Sequence, residues 1–121
     1  MPRVIHFEIP ADQPERAVKF YSDIFGWNFQ KWAGPTDYWL VSTGDQGPGI
    51  NGGLLRRSHP GASTVNTVDV VSVDESLRKI ESAGGKVVAL KMAIPSVGYL
   101  AYCQDPEGNT FGIMQADAAA G

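Results

Sequence analysis

His6 and Glu8 stand two residues apart in the run Val4-Ile5-His6-Phe7-Glu8-Ile9, where polar and apolar side chains alternate. Alternation with period two puts both on one face of a strand, and Ile5, Phe7 and Ile9 on the other. An imidazole beside a carboxylate suits general acid–base chemistry, with Glu8 fixing the tautomer so that His6 acts as the base. Two further readings stand beside that one: a buried polar pair hydrogen-bonded to neighbouring strands, and a two-ligand remnant of a metal site. Asn51, Thr67, Asp69 and Thr110 also alternate with apolar neighbours. They read as groups that orient a ligand's carbonyl or hydroxyl; for Thr67 and Asp69 the alternative is a solvated sheet face, and for Asn51, beside the Gly-rich stretch from Gly47 to Gly53, a turn residue. Tyr38, Trp39, Tyr99 and Tyr102 supply either an apolar pocket with polar tips for a small organic molecule, or core and dimer packing. Cys103 has no identifiable base beside it and reads as a small buried hydrophobe, while His59 reads as an exposed loop residue. The stretch from Gly44 to Gly53 lacks the Lys-Ser/Thr end of a phosphate loop and reads as a hairpin.

The elements that position these residues come in two similar sets. Shifting the second half under the first by 59 residues aligns Gly26, Gly49 and Gly53 with Gly85, Gly108 and Gly112, and Ile9, Val18, Phe29, Val41 and Leu54 with Val68, Leu77, Val88, Leu100 and Ile113. Each half carries the same order of local signals. In the first, a strand at Val4–Ile9 precedes a helix from Gln13 to Phe25, for which Asp12 offers an acidic N-cap, Pro14 a first-turn residue, Ala17, Phe20, Tyr21 and Ile24 the apolar spacing, and Gly26 the stop. Three strands follow at about Trp27–Trp32, Tyr38–Thr43 and Ile50–Leu55. The second half repeats this with a strand at Thr64–Val70 and a helix from Val73 to Ala83 behind the capping box Ser72-Val73-Asp74-Glu75. Strands at Lys86–Lys91, Gly98–Cys103 and Asn109–Gln115 complete it, the last preceded by the turn Asp105-Pro106-Glu107-Gly108. The segment His59-Pro60-Gly61-Ala62 is too short for an interdomain linker, so the two βαβββ modules, about 3–57 and 62–116, are expected to share one core.

Composition bounds the function classes. A 121-residue chain supports a single domain, and 43% hydrophobic with 19% charged residues is ordinary globular usage. A net charge of -3 with scattered Lys and Arg argues against a nucleic-acid partner. The single cysteine excludes an internal disulfide framework, and no apolar run approaches the length of a membrane span. The expectation is a soluble cytoplasmic protein with no membrane partner, and the Ala118-Ala119-Ala120-Gly121 end reads as a frayed terminus.

The duplicated βαβββ pattern resembles the vicinal oxygen chelate superfamily, which includes glyoxalase I, bleomycin resistance proteins and extradiol dioxygenases. The residues carrying the resemblance are His6-Phe7-Glu8-Ile9-Pro10, Phe20-Tyr21 with Phe25-Gly26-Trp27, and Asp105-Pro106-Glu107-Gly108-Asn109-Thr110-Phe111-Gly112. It implies an α+β fold in which two modules form a cupped eight-stranded mixed sheet around a ligand cleft, often in a homodimer. Metal-dependent members resembling glyoxalase I take one ligand from the first and one from the last strand of each module, positions that fall on His6, Gly53, Val65 and Gly112. Of these only His6 carries a donor side chain, whereas a catalytic zinc site needs three protein ligands. The expectation is therefore no metal and no other cofactor, with a divalent ion at His6 as the alternative. Two function classes follow: a small-molecule binder similar to bleomycin resistance proteins, and a lyase or isomerase related to lactoylglutathione lyase that acts on a small oxygenated metabolite.

Overall fold

The computed structural model describes residues 2–121. Eight strands and two helices divide into two βαβββ units, in the α+β class expected from the duplicated pattern. By packing, one unit is His6–Thr64; the other is Val65–Gly121 together with residues 2–5.

In the first unit, β1 (Val4–Ala11) leads into α1 (Pro14–Phe25), followed by β2 (Asn28–Lys31), β3 (Tyr38–Ser42) and β4 (Gly52–Arg56). The strand order is β2-β3-β4-β1, antiparallel except for the parallel β4–β1 pair. Pro14, locked at a helical φ and lacking an N–H to satisfy, starts α1, and Gly26 ends it at φ 70°, donating its N–H to the Ser22 carbonyl at 3.0 Å. The N-cap is Gln13 rather than Asp12, without a side-chain cap. Asp12 instead accepts a hydrogen bond from Arg57 Nε at 3.0 Å, so the charge expected at the helix start ties the end of β1 to the residue after β4. The packed stripe of α1 also differs from the expected one. Ala17, Val18 and Tyr21 meet the strands, whereas Phe20 and Ile24 are 56% and 60% exposed.

The second unit comprises β5 (Val65–Asp69), α2 (Val73–Ser82), β6 (Lys86–Ile94), β7 (Gly98–Gln104) and β8 (Thr110–Ala116), in strand order β5-β8-β7-β6 with β5 and β8 parallel. Ser72 caps α2 by accepting from the Glu75 N–H at 3.2 Å. The turn before β8 closes as its sequence suggests: Gly108 N–H donates to the Asp105 carbonyl, and Asp105 Oδ1 accepts from the N–H groups of Glu107 and Asn109. The C-terminal residues are not frayed. Asp117 N–H donates to Val97 O, Ser96 N–H to Ala120 O, and Ala120 is buried.

The duplication is visible in hydrogen-bond register. Phe7, Glu8, Ile9 and Pro10 pair with Gly52, Gly53, Leu54 and Leu55, and Asn66, Thr67, Val68 and Asp69 pair with Phe111, Gly112, Ile113 and Met114. Each second pair is the first displaced by the 59 residues of the sequence repeat. Within its own unit each helix covers a cluster of buried side chains. Leu54, Val41, Trp39 and Ala11 lie under α1, and Val73, Ala101 and Ile113 form the centre of the other unit. Among the described residues, no helix is long and apolar enough to cross a membrane.

Candidate functional site

Strand parity decides which side chains of the first unit can meet. Phe7 and Ile9 of β1, Trp39 and Val41 of β3, and Leu54 of β4 point to the α1 side, where they pack. Their neighbours His6, Glu8, Tyr38 and Gly53 therefore share the opposite face. The glycine is what allows them to meet: a Cβ built on Gly53 would land on the Tyr38 hydroxyl. In that space the Tyr38 Oη lies 2.9 Å from His6 Nε2 and donates to Glu8 Oε2 at 2.9 Å. The direct His6–Glu8 pair expected from their spacing is thus a three-membered chain with a phenol at its centre.

The ring of Tyr38 is braced from the side. Trp32 N–H donates to the Tyr38 carbonyl at 2.8 Å, and the indole meets the phenol edge-on at a centroid distance of 6.4 Å. Gly34 makes room for that indole, because a Cβ there would overlap its ring. Tyr38 also lines a cavity of about 540 Å³ with Pro35, Thr36, Asp37, Leu55 and Arg56. Asp37 lies 3.2 Å from Arg56 and 3.5 Å from Lys31, and these cations hold its carboxyl below the usual carboxylate range.

Glu8 is nearly buried, at 9% exposure, and His6 is half-buried. Burial pulls the His6 imidazole below its ordinary pKa, outweighing the opposite pull of the Glu8 carboxylate. The neutral ring is favoured at neutral pH. In the unfolded chain His6 binds its proton at about pH 6.5, while in the fold it resists protonation until lower pH. Between those two points the unfolded state holds more protons, so stability falls as pH drops below about 6.5 and is insensitive to this group above it. Urea unfolding at about pH 7.5 and pH 5.5 is expected to give lower stability at the acid end, and the drop should be smaller in His6→Gln.

The remaining sequence candidates separate by face. Trp39 does not line the site: it is 8% exposed and part of the core under α1. Tyr99 is likewise turned to the α2 side, packed on that unit's cluster with Lys91 Nζ 4.6 Å from its ring centre. Asn51 has the turn role, its Oδ1 accepting from Thr43 N–H at 3.0 Å. Thr67, Asp69, Tyr102 and Thr110 lie on the face of the second unit opposite α2, since their strand partners Gly112, Met114 and Gln104 alternate with the packed Phe111, Ile113 and Ala101. Thr67 is 2% exposed, and its Oγ1 crowds the place of a Gly112 Cβ much as Tyr38 crowds that of Gly53. Cys103 is fully buried, and burial raises its thiol pKa. Sequence reading missed the structural importance of Gly53, Trp32 and Gly34; a glycine directly preceding a buried leucine in a strand is the local signal for a close approach on the other face.

The sequence profile of the Glyoxalase/Bleomycin resistance protein/Dioxygenase superfamily matches residues 3–113. The chain belongs to this superfamily. A glyoxylase-like domain-containing protein of Didymella fabae is 33% identical over 114 residues, 88% of each chain. A Mycobacterium tuberculosis protein, CFP32, provisionally named a glyoxylase, is 30% identical over 112 residues covering 89% of this chain; the alignment spans 42% of that longer relative. Among solved structures, Streptomyces coelicolor methylmalonyl-CoA epimerase in complex with 2-nitronate-propionyl-CoA superposes with a TM-score of 0.72 at 14% identity, over 98% of this chain and 97% of that one. A superfamily member from Vibrio splendidus superposes with a TM-score of 0.68 at 14% identity, over 97% and 100%. These likenesses establish the fold.

The resemblance to glyoxalase I implies metal donors at the positions of Gly53, Val65 and Gly112 as well as His6. Neither glycine nor valine supplies one, and the space a side chain at 53 would use holds the Tyr38 hydroxyl. Among the described residues, no group of three His, Cys, Asp or Glu side chains could hold an ion. The residues present do not fit that metal site.

Proposed function

We propose that this superfamily member is a small-molecule-binding protein whose site is built on His6, Tyr38 and Glu8 and works without the glyoxalase I metal. The observation that carries the reading is the Tyr38 hydroxyl, hydrogen-bonded to both His6 and Glu8 in the space left by Gly53. A half-buried imidazole, a phenol and a carboxylate, flanked by Trp32 and Leu55, suit a small oxygenated molecule with an apolar body. A second reading, a lyase or isomerase acting on such a molecule, is favoured by the connected hydrogen bonds, which give a proton a path between His6 and Glu8. The epimerase neighbours, which carry CoA esters, support small-ligand binding in this fold. We further propose a homodimer, which would cover the exposed Phe20, Ile24 and Phe25 of α1, and a cytoplasmic location.

The test is a thermal-shift screen of neutral hydroxy-, enol- and phenol-bearing compounds in chelator-containing buffer. Compounds that bind at this site should raise the melting temperature of the wild type and have little effect on Tyr38→Phe. Stabilisation that appears only after a divalent metal is added would refute the reading.

A further inference from the structure

The hydrogen-bond directions in the His6–Tyr38–Glu8 chain have a consequence for the imidazole. A phenol has one proton, and Tyr38 gives it to Glu8 Oε2. Its oxygen can therefore only accept from His6, which requires the proton of a neutral imidazole to sit on Nε2, 2.9 Å away. Nδ1 is then the unprotonated nitrogen, the one that can accept. Three contacts keep the phenol from turning away: the space at Gly53, which a Cβ would fill, the edge of Trp32, and the Trp32–Tyr38 backbone hydrogen bond.

We propose that Tyr38, seated in the space left by Gly53, is a positioning residue that locks His6 as its Nε2–H tautomer, so that Nδ1 is the acceptor offered to a ligand's hydroxyl or enol. The ligand class follows from the charges. An acceptor nitrogen near a carboxylate recognises a hydrogen-bond donor and disfavours a carboxylate, and the nearby cations Lys31 and Arg56 are already paired with Asp37. The site therefore selects neutral alcohols, enols or phenols over carboxylates of the same shape. The ligand assignment rests on the proposed binding function, but the state of the ring can be read in the ligand-free protein, so the two can fail separately.

The experiment is ¹⁵N NMR of the imidazole nitrogens in the ligand-free chain at pH 7.5. With two histidines and His59 exposed in a loop, the signals can be assigned with a His59→Gln variant. The expected result is a protonated Nε2 and an unprotonated Nδ1 for His6, with a slowly exchanging Nε2 proton. In Tyr38→Phe, which removes one oxygen and keeps the ring, both nitrogens should shift towards the averaged positions of mixed tautomers, and the slow proton should be lost. A proton on Nδ1, averaged nitrogens in the wild type, or an unchanged His6 spectrum in Tyr38→Phe would each overturn the proposal.

Discussion

Leu54→Ala is expected to lower the stability of the chain by about 3 kcal/mol, the size typical of emptying a fully buried leucine site. Leu54 has no exposed surface and sits among Ala11, Trp39 and Val41, with Phe7 and Ile9 of β1 and Tyr21 of α1 packed around the same cluster. These neighbours come from two strands and a helix, so no single side chain can move in to close the void. The loss should appear as a lower denaturation midpoint with little change in the slope of the transition. A cost below about 1 kcal/mol would mean that the cluster under α1 collapses more readily than its packing implies.

The adjacent substitution, Gly53→Ala, tests the opposite face of the same strand. Its methyl group would overlap the Tyr38 hydroxyl, so the phenol must leave its place and both of its hydrogen bonds in the chain are lost. Overpacking of this kind costs about 2 kcal/mol, and the effect on the site should exceed that on the fold: stabilisation by hydroxyl-bearing ligands should disappear. Gly49→Ala is the control, because a Cβ there would find its nearest neighbour, Thr43 Oγ1, at 3.9 Å. Its stability and ligand response should match the wild type. If Gly53→Ala also matched, the close approach of Tyr38 to β4 would not be a property of the molecule in solution.

Much of this architecture is legible in the chain because local patterns and tertiary packing agree. Alternation in Val4–Ile9 marks β1, Ser72 and Glu75 mark the start of α2, and the 59-residue repeat anticipates a register in which Glu8 meets Gly53 as Thr67 meets Gly112. The helix start at Asp12 was less legible, since the same carboxylate that suits an N-cap also suits Arg57, 45 positions away in sequence. Parity could have separated Tyr38 from Trp39: Trp39 alternates with the apolar Val41, Tyr38 with Leu40 and the polar Ser42. The bridge itself could not be read locally. Tyr38 is 32 residues from His6 and 30 from Glu8, and although Gly53 marks a close approach on its face of the strand, nothing local says that Tyr38 fills it. The polar pair was visible in sequence; the phenol that joins it required the strand order.

We propose that the phenol-centred hydrogen-bond chain stands where metal-dependent relatives resembling glyoxalase I would place a ligand. The most direct test is calorimetric titration of zinc, and separately nickel, into chelator-stripped protein at neutral pH. The predicted result is no stoichiometric binding and no rise in melting temperature. Stoichiometric uptake that stabilises the fold, and that is lost in His6→Gln, would contradict the account.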